Sequence, residues 1–340
     1  MSKPKIVVTD YIEPDLDWEA EQLAGRDVTF EYHQLKFAPR DELLAHIRDA
    51  DILIVNMTPM TPEIIESLER CKLIIRHGIG YDNVDLAACA KAGIRLSNVP
   101  DYCPEEVAEQ AIALMFACAR RLFLCRSILE KSSTKGQWDF ARLGPVYRFS
   151  GKTLGIVGCG RIGSRVYRKL GGFDLRRLVC DPYIDERRMG ALGVERTYDL
   201  ETVLRESDIV TMHTPLNDET RHMIDEPQLR LMKETAYIVN TSRGGVINTE
   251  ALVKACREGW IAGAGIDVYE QEPPPPELGL FELDNVTLAP HLGWCSEEAG
   301  WDIREKILED VYRCLEGRPP RFTVNEDVEQ VLAGKAYRDV

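Results

Sequence analysis

The sequence predicts a two-domain α/β protein built on parallel sheets, and three observations predict it. Short apolar runs alternate with helical segments along most of the chain, an order that produces parallel strands with both sheet faces covered. A strand, a glycine turn, a helix and a second strand follow one another between Lys152 and Tyr183. The rhythm breaks at Asn98–Pro104, where NVPDYCP holds two prolines and no periodicity, the mark of a crossover between domains. A chain of 340 residues has room for two ordinary domains.

In the first hundred residues, strands are expected at 3–10, 51–56 (DILIVN), 73–75 and 94–96. Helical faces stand between them at Leu43, Leu44 and Ile47, at Ile64, Ile65 and Leu68, and at Leu86–Ala92. One long helix is expected from Glu105 to about Glu130. Its apolar residues lie on more than one side, so it should be buried in a core or a subunit interface. The segment 136–149 places Trp138, Phe140, Tyr147 and Phe149 among turn residues. It reads equally well as an arm packing on a second subunit and as a loop lying on its own domain.

The unit at 152–183 carries the first chemistry. Thr153–Val157 is an apolar strand, Gly158, Gly160 and Gly163 are spaced G-x-G-x-x-G, and Ile162, Val166 and Leu170 line a helix. The second strand, 175–180, ends on Asp181, 18 residues after the last glycine. That is the order of a dinucleotide-binding βαβ unit. The glycines permit the tight turn, the approach of a pyrophosphate and close helix packing, and the helix start offers N–H groups to phosphate. Asp181 is placed to accept hydrogen bonds from a ribose diol and to repel a 2′-phosphate, which favours NAD. Arg177 leaves room for NADP.

The strand–helix rhythm continues to a last helix at 297–315, with Ile303, Ile307, Leu308 and Val311 on one face. Strands of this half end in polar residues: His213, the run Thr241-Ser242-Arg243-Gly244-Gly245, Asp267 and His291. In an open parallel sheet, ligands bind at these carboxyl ends. Hydride transfer at a carbinol or carbonyl needs a proton carrier, for which histidine has the suitable ordinary pKa. It also needs a carboxylate to orient that histidine and a cation for the substrate carboxylate. His291, Glu272 and Arg243 are of those types. Taken singly, His291 reads as well as a satisfied polar residue, Arg243 as a surface ion-pair partner, and Glu272 as a solvated loop residue. Their joint occurrence beside a nucleotide site favours the chemical reading.

The net charge of −14 argues against a nucleic-acid surface. No window reaches the 18 or more apolar residues of a membrane span, and MSKPKIVVTD enters a strand without the apolar run of a signal peptide. Ten scattered cysteines without C-x-x-C or zinc-type spacing fit reduced thiols in a cytoplasmic protein, and no metal site is expected.

The stretches TLGIVGCGRIGSRV, SDIVTMHTPLNDETRHMI, MKETAYIVNTSRGGVINTEALVKAC, AGAGIDVYEQEP and NVTLAPHLGW resemble the D-2-hydroxyacid dehydrogenase family over nearly the full length. The resemblance implies a Rossmann-type NAD-binding domain, 104–298, inserted into a smaller flavodoxin-like substrate domain, 1–103 and 299–340. It implies Arg243, Glu272 and His291 as the catalytic set. Cofactor contacts would come from Gly158, Gly160, Arg161, Ile162 and Gly163, from Asp181, from His213, Thr214, Pro215 and Thr220, and from Thr241, Ser242, Asp267 and Gly293. The loop Arg76-His77-Gly78-Ile79 would offer N–H groups to a substrate carboxylate, with Arg243 and Trp294 on the substrate side. The family's formate dehydrogenases lack the glutamate found here at Glu272, and its phosphite dehydrogenases carry a lysine where this chain has Arg76-His77. Members are usually homodimers through the NAD domain. Trp294, GYDNVD and EEVAEQ are similar to the C-terminal-binding-protein branch. The expected activity is NAD-dependent reduction of a 2-keto acid. The alternative is an NAD(H)-sensing, corepressor-like binding protein.

Overall fold

The computed structural model describes residues 3–197 and 199–336. The chain forms two compact units, Met1–Tyr102 with Ser296–Val340, and Cys103–Cys295.

The first unit holds β1 (Lys5–Val8), β2 (Thr29–Tyr32), β3 (Ile52–Val55), β4 (Leu73–Arg76) and β5 (Arg95–Ser97), in the order β2-β1-β3-β4-β5. All four pairings are parallel, and the order is flavodoxin-like. Strand residues alternate between two cores, as a period of two requires. Val7, Leu53, Val55 and Ile74 meet Leu43, Leu44, Ile47 and Ile64 on one face. Ile6, Val8, Ile52, Ile54 and Ile75 meet Ile303, Ile307, Leu308 and Val311 on the other. The helix Glu297–Leu315 therefore belongs to this unit, and the two ends of the chain share one domain. The edge strand β2 (TFEY) and the helix Asp17–Leu23 lack the apolar run that makes the inner strands legible.

The second unit holds β6 (Thr153–Val157), β7 (Arg176–Cys180), β8 (Glu195–Thr197), β9 (Ile209–Met212), β10 (Tyr237–Asn240), β11 (Gly263–Ile266) and β12 (Val286–Leu288). Their order is β12-β11-β10-β9-β6-β7-β8, again all parallel. Counted from β6, this is the doubly wound Rossmann order with one further strand. It reverses between β6 and β9, where such sheets open a ligand crevice.

The long helix expected after Pro104 is two helices, Pro104–Ala119 and Leu122–Ser133. Arg121 between them is left-handed (φ 51°), which an α-helix of L-residues does not continue through, and its guanidinium donates to Leu143 O at 2.6 Å. Burial holds for the first helix, whose Ala108, Ala111, Leu114 and Met115 pack on Leu154, Ile156 and Val239. It fails for the second, where Leu122 and Phe123 are 53% and 62% exposed. On the arm, Phe149 stacks on Phe116, while Trp138 and Phe140 stand 80% and 70% exposed. Among the described residues no helix is long and apolar enough to cross a membrane.

Candidate active site

The glycine turn after β6 has the form a dinucleotide requires. Gly158 is left-handed (φ 88°), and a Cβ there would lie 2.7 Å from His213 O. A Cβ on Gly163 would lie 2.1 Å from Gly158 O, so the helix Gly163–Lys169 starts directly against the turn. Gly160 faces open space, with no atom within 4 Å of its Cβ position. That clearance lets a pyrophosphate approach the backbone. Asp181 follows β7 and holds its loop by accepting from Cys159 N (2.7 Å), Tyr183 N (2.8 Å) and Ile184 N (3.1 Å). A carboxylate has about four lone-pair sites, so capacity remains for a ribose. Arg177, which the sequence left open to a 2′-phosphate, packs on Tyr167. Its guanidinium lies 4.0 Å over the Tyr167 ring and donates to Tyr167 O at 2.7 Å.

After β9, His213 Nε2 bonds Thr211 Oγ1 at 3.0 Å, while its Nδ1 is buried without a partner among the described residues. Burial pushes the imidazole down to about 3, so it stays neutral at physiological pH. Thr214 Oγ1 reaches the Met223 sulfur, and Thr220 closes the loop by donating to Pro215 O at 2.6 Å.

After β10, Asn240 shapes the turn that carries Arg243. Its buried side-chain oxygen accepts from Ser242 N (3.0 Å) and Ser242 Oγ (2.8 Å), and its amide donates to Arg243 O (2.8 Å). Thr241 is buried, and its Oγ1 has no partner among the described residues. Gly244 comes next, with the backbone after β11 pressed against it: a Cβ would fall 1.9 Å from Tyr269 C and 2.3 Å from Glu270 N. The approach brings Arg243 beside the loop of Glu272, whose carboxyl feels its charge.

Glu272 is mostly buried. One oxygen accepts the Tyr269 N–H at 3.0 Å, and the other lies 2.7 Å from His291 Nδ1. Burial pushes this carboxyl upward. The His291 hydrogen bond and charge, the Tyr269 N–H and the Arg243 charge outweigh it and hold the group below the ordinary glutamate range.

His291 is left-handed (φ 57°) and donates its N–H to Asp267 O at 2.7 Å. The fully buried Asp267 carboxylate accepts from Leu292 N (3.0 Å), Gly293 N (2.8 Å) and the Gln110 amide (3.4 Å). Asp267 thus supports the His291 turn, a task its position in the sequence did not disclose. Tyr269 was also not singled out; its hydroxyl donates to Ala289 O at 2.9 Å and ties the two loops. Trp294 is partly buried directly after Gly293.

In the first unit, the loop after β4 presents fewer amides than expected. His77 N donates to Val55 O (2.8 Å) and Gly78 N to Arg76 O (2.9 Å). The Ile79 and Gly80 amides have no acceptor among the described residues. Arg76 folds over the loop, its Nη1 donating to His77 O at 2.7 Å and sitting where a Gly78 Cβ would be. The His77 ring is buried against Glu13 at 2.9 Å. Burial pushes the Glu13 carboxyl up, but the His77 bond and charge bring it down to about 2.

A dinucleotide fold with an imidazole–carboxylate pair and an arginine at its strand ends defines a nicotinamide-dependent dehydrogenase. The NAD binding domain of D-isomer specific 2-hydroxyacid dehydrogenases matches residues 112–293. A glyoxylate reductase of Korarchaeum cryptofilum is 42% identical over 291 residues, covering 85% of this chain and 87% of the relative. A glyoxylate reductase of Thermofilum pendens is 40% identical over 344 residues, covering 97% of each. A D-lactate dehydrogenase of Aquifex aeolicus, solved with NAD and lactic acid, superposes with a TM-score of 0.82 at 29% identity, covering 96% of this chain and 98% of that one. The chain belongs to the D-isomer specific 2-hydroxyacid dehydrogenase family. Its activity is that of an NAD-dependent 2-hydroxyacid dehydrogenase. The relatives do not favour the alternative of an NAD(H)-sensing binding protein, and they lend no support to the C-terminal-binding-protein branch.

Proposed function

We propose that the chain works as a 2-keto acid reductase on a small substrate of the glyoxylate class. The observation that carries the reading is the 2.7 Å contact between His291 Nδ1 and Glu272, with Arg243 next to that carboxylate. With Nδ1 engaged, Nε2 is the ring nitrogen left for a substrate oxygen. NADH supplies the hydride when bound. Protonated His291 gives its proton to the carbonyl oxygen as the carbinol forms, and Glu272 stabilises the charged ring before transfer. Arg243 holds the substrate carboxylate and draws electron density from the carbonyl. In the first unit, the Ile79 and Gly80 amides are the available N–H donors of the loop after β4. On this reading the first unit is the substrate domain and the second the cofactor domain. Asp181 selects NAD, and Trp294 lines the substrate side. The names of the Korarchaeum and Thermofilum relatives support a small substrate.

The exposed Leu122 and Phe123 on the helix Leu122–Ser133, with Trp138 and Phe140 on the arm, support a homodimer through the second unit. Ten free cysteines suit the cytoplasm, where thiols stay reduced. NADH oxidation measured over 2-keto acids from glyoxylate to phenylpyruvate tests the substrate class. Arg243→Ala should lose on the order of 100-fold or more in kcat/KM, as when an oxyanion donor is removed. Wild-type turnover in that variant, or preference for phenylpyruvate, would overturn the corresponding part.

A further inference from the structure

His222 and Glu270 meet where three segments of the second unit come together. His222 Nε2 lies 2.7 Å from one Glu270 oxygen, and the other accepts the Thr249 N–H at 2.8 Å. Thr249 opens the helix Thr249–Glu258, which follows the Arg243 turn. His222 also donates its own N–H to Gly245 O at 2.8 Å, from a left-handed conformation (φ 51°). Beyond it, Ile224 forms a parallel bridge with Ile247, its N–H reaching Val246 O and its carbonyl accepting from Asn248 N. Residues 222–224 are thus laid along the segment that leaves Arg243. Glu270 stands two residues before Glu272, on the backbone pressed against Gly244. His222 stands two residues after Thr220, which closes the loop following β9.

We propose that His222 and Glu270 form a positioning joint. It holds the Arg243 turn and the Glu272 loop in register with the loop at 213–220, which borders the cofactor groove. The inference rests on the roles proposed above for Arg243 and Glu272. Both side chains of the joint are about one-third exposed, so as an ion pair they contribute little to stability. Their value lies in geometry, since a displacement of about 1 Å at a reacting group costs on the order of 100-fold in rate. The joint therefore predicts lost activity without lost stability.

The test uses the full chain with NADH and the 2-keto acid it reduces fastest. Glu270→Ala, Glu270→Gln and His222→Ala are compared in kcat, KM and thermal unfolding, with Arg243→Ala as the control. Glu270→Ala should raise KM for the keto acid and lower kcat, each several-fold, with Tm little changed. Glu270→Gln should recover most of the loss, because its amide can both accept from Thr249 and pair with the imidazole. The double variant Glu270→Ala/His222→Ala should be no worse than either single change, as expected of one unit. If Glu270→Ala keeps kcat and KM within twofold of wild type while Arg243→Ala loses turnover, the joint is wrong and the site stands. Equal damage in the Ala and Gln variants, tracking a fall in Tm, marks a structural role and also overturns the joint. Full turnover in Arg243→Ala overturns the site and the joint with it.

Discussion

Glu272 binds His291 with one oxygen, at 2.7 Å, and the Tyr269 N–H with the other, at 3.0 Å. The carboxylate is thereby fixed to its own loop before it orients the imidazole. This is the arrangement that keeps a proton carrier in one tautomer and one place.

Glu272→Gln keeps the shape and removes the charge. Keto-acid reduction needs a proton delivered from the ring that the carboxylate orients, so kcat should fall. Stability follows the same group. Its carboxyl is held below the unfolded value, so its contribution is present above the ordinary glutamate range and is lost as pH falls through it. Urea unfolding should show the variant less stable than wild type at pH 7, with the gap closing as pH drops below about 4.5. A gap that stays constant with pH would contradict this account.

Gly244→Ala is the expected lesion of the catalytic loop. The new methyl would stand 1.9 Å from Tyr269 C and 2.1 Å from Tyr269 O, and backbone cannot move aside as a flexible side chain can. Separating the strands' loops would pull Arg243 from Glu272. A stability loss of about 2–4 kcal/mol and near-complete loss of turnover are expected, given the cost of overpacking. Gly160→Ala provides the contrast, since no protein atom stands within 4 Å of its Cβ. It should fold normally and lose NADH affinity. Two variants with equal Tm would show that the clash relaxes.

The contrast between these glycines also shows what was legible in the sequence. The turn at 158–163 is local: the spacing of its glycines, the strand before and the acid after announce a dinucleotide unit. Arg243 and His291 could be proposed because they follow strand ends, where an open sheet gathers its ligands, and Glu272 because it lies five residues past Asp267 in the same region. The break at Arg121 was hidden, because no glycine or proline marks it and its left-handed backbone accompanies a long-range bond to Leu143. The edge strands β2 and β8 were hidden because edges are short and polar. In the Arg76–Gly80 loop, residue identity does not say which way an amide points, so two of its N–H groups proved to be engaged within the protein. The support that Asp267 gives the His291 turn belongs to the same class, since its partners at Leu292 and Gly293 are 25 and 26 residues away.

Asp181→Ala should relax the choice of cofactor. In the proposed role the carboxylate is the negative charge that a 2′-phosphate would meet, while Arg177 donates to Tyr167 O. Because Asp181 also accepts three backbone N–H groups, the variant will lose some efficiency with NADH. The ratio of kcat/KM for NADPH over NADH is the informative quantity. It should rise by about tenfold, equivalent to ~1.4 kcal/mol. An unchanged ratio would remove Asp181 from selectivity and leave it as a loop anchor.

Thr241→Val separates a binding role from a folding role. Thr241 is 6% exposed, and its Oγ1 has no hydrogen-bond partner among the described residues. A buried polar group left unpaired costs ~1–3 kcal/mol, so replacing the hydroxyl with a methyl should leave the cofactor-free protein as stable as wild type or more stable. Were the hydroxyl a structural donor, the same change would lower Tm. Its neighbour Ser242 is bonded to Asn240 and supports the Arg243 turn, so Ser242→Ala should lower Tm where Thr241→Val does not. If Thr241 serves the nicotinamide half of the cofactor, the Kd for NADH should rise about three- to tenfold, or ~0.7–1.4 kcal/mol, in a fluorescence titration. An unchanged Kd together with an unchanged Tm would exclude the hydroxyl from the cofactor set.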